Sequence, residues 1–248
     1  MKRLKNTANL PWICGGLGVA GMLLRHWLLN TGFDEKGLLR EDHPAHWLLV
    51  LTAAAAVLAV TVALWGSRDS QKSIGMFPAS AVGAVSAAVG CLGILRSVWA
   101  MFAQPQTTLI RITWAIGIPA VLAAALLAWC RYKGLRPHFA LRSVVTMYFM
   151  FHLVYHYQQW FSQTQAALFV MQLLAQVLLI LALYHRTALE ADLGGWKRCV
   201  AVSQLAAFFC LAAVPGAEHP LFYGAMAIWL LGDRCVAGPV PGEAEEGV

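Results

Sequence analysis

Residues 44–65 read PAHWLLVLTAAAAVLAVTVALW. The run holds no Asp, Glu, Lys or Arg, and it opens on a proline. As an α-helix it would extend about 33 Å, enough to cross a hydrocarbon core about 30 Å thick. It has no polar face to turn toward water, so it is read as a membrane span.

Working outward, blocks of the same kind recur. They cover about 10–30, 78–102, 109–130, 138–161 and 165–185, followed by two shorter ones at 197–214 and 220–234. The chain is therefore expected to be all-α: a polytopic transmembrane helical bundle of about eight helices. Residues 1–236 should form a single domain, with a disordered tail at 237–248 rich in Pro, Gly and Glu. Pro11, Pro44, Pro78, Pro137 and Pro220 sit where helices should begin, a place where the missing N–H costs nothing. Pro119 falls inside the fourth block and should kink or locally break it. The last two blocks are barely long enough to span, and a re-entrant hairpin is the alternative there.

Composition agrees. The 248 residues are 59% hydrophobic and 12% charged, too little polar surface to coat a soluble globule. Mean hydropathy is +0.62. Alternation of the kind found in outer-membrane barrels is absent. The net charge of +6 does not indicate nucleic-acid binding, because the basic residues are scattered over short loops. They follow topology instead. With the N-terminus inside, 13 of the 18 Lys and Arg residues fall on the cytoplasmic side, and only Lys36 and Arg40 fall in external loops. That bias puts both termini in the cytoplasm. The N-terminal block resembles a signal sequence but is followed by Arg25 and His26, and is expected to remain as an anchor. The use of Ala, Leu and Gly suggests a bacterial cytoplasmic membrane. The six cysteines avoid the external loops and form no C-x-x-C pair, so neither disulfides nor a structural zinc site is expected.

Polar residues inside the spans are the candidates for chemistry, because each is costly in hydrocarbon. Arg25, Arg96 and Arg111 fall at similar depth near the external face. Arginine suits bidentate contacts to phosphate or carboxylate, and also snorkels to the interface. The third block carries small residues every three or four positions (Ser80, Gly83, Ser86, Gly90, Gly93, Ser97), which predicts a central, tightly packed helix. In the fifth block Tyr148, His152, Tyr155 and Gln159 share one face, with His156 beside them. Two histidines four apart suit a metal, yet the block holds no carboxylate, so no metal or other cofactor is expected. Gln172 and Gln176 lie on one face of the sixth block, and the fifth block is their expected partner; Ser203 and Gln204 could join them.

Three functions fit these residues. The first is a carrier or ligand-binding membrane protein. Its external polar site would bind an anionic or amphipathic small molecule through Arg25, Arg96, Arg111, Tyr148, His152, Tyr155, His156, Gln172 and Gln176. The second is an intramembrane enzyme acting on a lipid-like substrate through His152 or His156. The third is a non-catalytic subunit that meets an oligomeric or membrane partner through its lipid-facing helices. No Walker motif or dinucleotide fingerprint appears, and no Asp or Glu lies deep in any span, so nothing argues for a more specific class.

Overall fold

The structure, a computed structural model, describes residues 9–33, 43–65, 79–103, 107–161, 169–191 and 193–233. Among these residues it holds eight helices: α1 (Leu10–Thr31), α2 (Pro44–Trp65), α3 (Ala81–Phe102), α4 (Thr108–Lys133), α5 (Phe139–Phe161), α6 (Val170–Glu190), α7 (Trp196–Ala213) and α8 (Pro220–Gly232). Six of them, all but α5 and α8, are long and apolar enough to cross a membrane. The 23 residues of α5 have the length, but its polar stripe lowers the hydropathy. The 13 residues of α8 extend about 20 Å, short of a full hydrocarbon core. The tail from residue 237 and the loop at 66–78 lie outside the described residues.

Local chemistry explains the helix ends. Ser80 caps α3 by accepting a bond from the Gly83 amide at 3.1 Å, and Thr107 caps α4 through the Ile110 amide. Gly134 ends α4 with φ 68°, a left-handed turn that costs a glycine little. Helix α4 runs unbroken through Pro119, so the proline loosens the ladder without ending the helix.

Helices α3, α4, α5, α6, α7 and α8 pack in that order, and α8 returns to α3 to close a ring. Outside it, α1 packs on α7, and α2 lies against both. The small residues of α3 permit the α3–α8 contact. A Cβ on Gly90 would stand 2.6 Å from the Trp229 ring, and one on Gly93 would stand 2.6 Å from the Ala225 Cβ. The close packing expected for α3 is seen here, but the central position is not: α3 packs mainly on α4 and α8, whereas α7 packs on α1, α2, α6 and α8. The interior between the two ends is apolar, with Val145, Phe149, Leu179, Leu183, Met226 and Leu230 buried. The outward faces are apolar as well, as Leu51, Leu58 and Val62 of α2 show. A surface of this kind suits lipid and not water.

Two helix ends differ from the sequence reading. The sequence places a loop after His185, yet α6 continues to Glu190. Likewise α4 continues to Lys133. Both extensions are stabilised by ion pairs to distant helices, which periodicity does not reveal.

Candidate functional site

The polar side chains gather at two opposite ends of the ring. At one end, the C-terminal halves of α3 and α5 meet the N-terminal turns of α6 and α8. Every residue lining the cavity there is polar: His152, His156, Gln172, Glu218, His219 and Tyr223, around about 10 Å³, room for one water-sized guest as it stands. His152 and His156 face each other with their Nε2 atoms 3.2 Å apart. The Ser97 hydroxyl also approaches His152 Nε2, at 2.8 Å. A ring nitrogen offers one lone pair or one N–H, so two partners converge on a position that satisfies one well. Below them, His152 stacks on Phe222 with centroids 4.8 Å apart.

The glutamines find partners other than the expected α5. Gln172 donates to the Gly216 carbonyl at 2.9 Å, and Gln176 donates to the Tyr223 hydroxyl at 2.8 Å. Both partners belong to the α7–α8 hairpin, which the ring closure brings opposite α6. Gln159 donates to Tyr155 at 2.7 Å. Three buried acceptors here make no hydrogen bond: Gln172 Oε1, Gln176 Oε1 and the Tyr148 hydroxyl. Gln176 lies beside His152 and Tyr148 beside Ser97, without reaching hydrogen-bond geometry. A buried polar atom left unsatisfied costs about 1–3 kcal/mol, so such a group points to a ligand or water.

Sequence reasoning missed Glu218 and His219 as members of this end. Glu218 Oε2 lies 3.6 Å from His156 Nδ1, and supplies from a loop the carboxylate that α5 lacks. His219 packs edge-on against His156, with centroids 5.6 Å apart. Burial holds the His219 pKa below the usual histidine value; Glu218 opposes that shift and the nearby Arg96 adds to it. The repeated acid-His-Pro signal at 42–44 and 218–220 marks this loop in the sequence.

The three arginines separate. Arg25 is buried and donates to the Ala212 carbonyl of α7 at 3.4 Å, with Tyr223 nearby. Arg96 is exposed on α3 close to His219. Arg111 is exposed at the start of α4. Tyr148, Tyr155, His152, His156, Gln172 and Gln176 are all buried. Among the described residues, no group of three or more His, Cys, Asp or Glu side chains is arranged to hold a metal ion.

The other end was not recognised as a site. Asp233, just past α8, is 4% exposed and surrounded by arginines from three helices. Arg186 donates to its Oδ2, Arg131 Nε lies 3.2 Å from its Oδ1, and Arg142 Nη1 lies 3.9 Å from its Oδ2. Burial works to raise the Asp233 pKa, and Arg186, Arg142 and Arg131 together overcome it and hold the carboxyl below its ordinary value. Arg142 Nε also donates to Glu190 at 2.8 Å, and Arg136 donates to the Glu190 carbonyl. Ser203, grouped from sequence with the glutamines, instead accepts from Arg186 at this end.

No protein-family model matches the chain, and no curated protein or solved structure matches it either.

Proposed function

We propose that this multi-pass membrane protein is a small carrier or ligand-binding protein whose histidine end takes up a small anionic or amphipathic molecule. One observation carries the reading: a cavity within a largely apolar bundle is lined by polar residues, and the buried Gln172 and Gln176 amide oxygens and the Tyr148 hydroxyl around it make no hydrogen bond. A polar group of the ligand would satisfy Gln172, and Arg25 and Arg96 bias the end toward negative charge. Under the positive-inside argument this end faces outward. Leu179, Leu183, Met226 and Leu230 separate it from the arginine end, an apolar barrier suited to a carrier that opens to one side at a time.

The test is mass spectrometry of small molecules and lipids that co-purify with the gently extracted wild type, Gln172→Leu and Arg96→Ala. Gln172→Leu removes the unpartnered acceptor together with the bond to Gly216, and roughly keeps the side-chain volume. The expected result is one anionic species retained by the wild type and depleted in both variants. Equal retention in all three would remove the histidine-end site.

A second reading is favoured by the His156–Glu218 pair at 3.6 Å. A carboxylate beside an imidazole orients it and fixes its tautomer, the arrangement used by a general base. An intramembrane enzyme would use His156 in this way on a lipid-like substrate. Chemically altered lipid appearing with wild type but not with Glu218→Gln would favour the enzyme over the carrier.

A further inference from the structure

We propose that a proton relay runs from Glu218 at the surface through His156 to His152, and carries protons between the surface and the ligand cavity. Its purpose, coupling ligand movement to the proton, rests on the carrier reading; its geometry does not.

Size decides what this end takes up without moving. The cavity at the histidines holds about 10 Å³, room for one water. An organic solute needs the helices to part, whereas a proton needs only a row of nitrogens and oxygens close enough to share it. Such a row is present. Glu218, half exposed in the loop before α8, brings its Oε2 to 3.6 Å from His156 Nδ1. One bridging water or a small side-chain movement closes that gap. Across the same ring, His156 Nε2 lies 3.2 Å from His152 Nε2. The row enters one imidazole at Nδ1 and leaves at Nε2, as a histidine proton shuttle requires. It ends at His152 Nδ1, a buried atom that makes no hydrogen bond, in a ring with the Gln176 amide beside it.

A neutral imidazole carries one N–H, so the 3.2 Å contact has two settings. In the first, His156 Nε2–H donates to His152 Nε2. The His156 Nδ1 lone pair then faces the Glu218 carboxylate, and His152 bears its proton on Nδ1. In the second, His152 Nε2–H donates to His156 Nε2. His156 Nδ1–H then faces the carboxylate, and His152 Nδ1 is bare. Passage of one proton converts the first setting into the second. A proton enters at His156 Nδ1, the His156 Nε2 proton moves to His152 Nε2, and a proton leaves from His152 Nδ1 to an anionic ligand held there. Both rings end neutral, and the reverse passage restores the first setting. The Ser97 hydroxyl, 2.8 Å from His152 Nε2, suits both settings because it donates or accepts by rotation.

The charges around the row favour the second setting. Glu218 is the one carboxylate on it among the described residues, and it faces His156. Tyr155 of α5 and His219 pack against His156, with Arg96 of α3 near His219 and Arg25 of α1 near Tyr223. Helix α6 contributes the neutral Gln172 and Gln176.

The test needs no ligand. Full-length protein with isotope-labelled histidine is placed in phosphatidylcholine nanodiscs, and NMR reads which ring nitrogens carry protons. His152→Gln and His156→Gln assign the signals. Near neutral pH the wild type should show a hydrogen bond between the two Nε2 atoms, with His156 protonated and His152 bare at Nδ1. Glu218→Gln removes the charge that selects this setting and should shift the balance toward the other about tenfold. The shift should appear at both rings together, although Glu218 pairs with His156 alone. A change at His156 that leaves His152 unaltered, or the absence of the Nε2–Nε2 bond, overturns the relay. Linked rings with equal ligand retention in the co-purification test would defeat the carrier and leave the relay standing. Selective retention with unlinked rings would do the reverse.

Discussion

Removing the charge of Asp233 should damage the fold more than removing its closest partner, Arg186. Among the described residues, Asp233→Leu leaves the buried Arg131, Arg142 and Arg186 with Glu190 as their buried carboxylate, whereas Arg186→Met leaves Asp233 still held by Arg131 at 3.2 Å and Arg142 at 3.9 Å. At an effective dielectric of about 20, a pair at 3.2 Å attracts by about 5 kcal/mol before desolvation is counted. Desolvation cancels much of this in the intact cluster. It does not cancel when one partner is deleted, so Asp233→Leu should cost about 3–5 kcal/mol. Arg186→Met loses charge-assisted hydrogen bonds to Asp233 and a bond to Ser203, worth about 2 kcal/mol together in net terms. The double variant restores the wild-type charge balance, so its loss should fall well short of the two single losses added together. Thermal unfolding in detergent measures all three. At about 2–4 °C per kcal/mol, Asp233→Leu should melt roughly 10 °C below wild type. If Asp233→Leu were no worse than Arg186→Met, or if the two losses simply added, the account of a mutually neutralising cluster would be wrong.

Other predictions follow from the same geometry. Gly90→Ala places a methyl 2.6 Å from the buried Trp229 ring and should cost about 1–3 kcal/mol. Gly16→Ala meets nothing within 4 Å and should stay within about 0.5 kcal/mol of wild type; equal melting temperatures would contradict the close α3–α8 contact. His219 has a pKa held below the ordinary histidine value by burial and by Arg96, against Glu218. The unfolded chain therefore binds this proton more readily, so stability should fall as pH drops from about 7 through the ordinary histidine value near 6.5. His219→Gln should flatten that slope, and an unchanged slope would remove His219 as a contributor. In a cysteine-free background, a membrane-impermeant maleimide applied to intact cells should label a cysteine at Ala103 and spare one at Leu135, both exposed positions at opposite ends of the bundle. The reverse pattern would invert the expected orientation.

The histidine end was half legible. Tyr148, His152 and Tyr155 could be grouped because helical periodicity places them on one face, and the glutamines of α6 for the same reason. Their partners could not be, because a stripe identifies a face and not the helix that covers it. Gln176 meets Tyr223 across 47 residues, and Arg25 meets Ala212 across 187. The arginine end was misread for a related reason. Arg131, Arg142 and Arg186 lie beside loops, and near a helix terminus a basic residue ordinarily reports topology. Burial converts them into members of one ion cluster, so the charge bias for orientation rests on the other ten basic residues of that side against two.

The sequence by itself determined that this chain is a helical membrane bundle, because runs of apolar residues long enough to span a bilayer can satisfy their backbone in no simpler way. It also determined that α3 packs closely, since small residues at helical spacing leave room only for another backbone. Only the tertiary structure decided that α8 closes a ring against α3, and with that closure which polar groups meet. Asp233 joins arginines of α4, α5 and α6, and Glu218 joins His156, because side-chain charge and hydrogen bonding act over a few ångströms in space, a distance unrelated to separation along the chain.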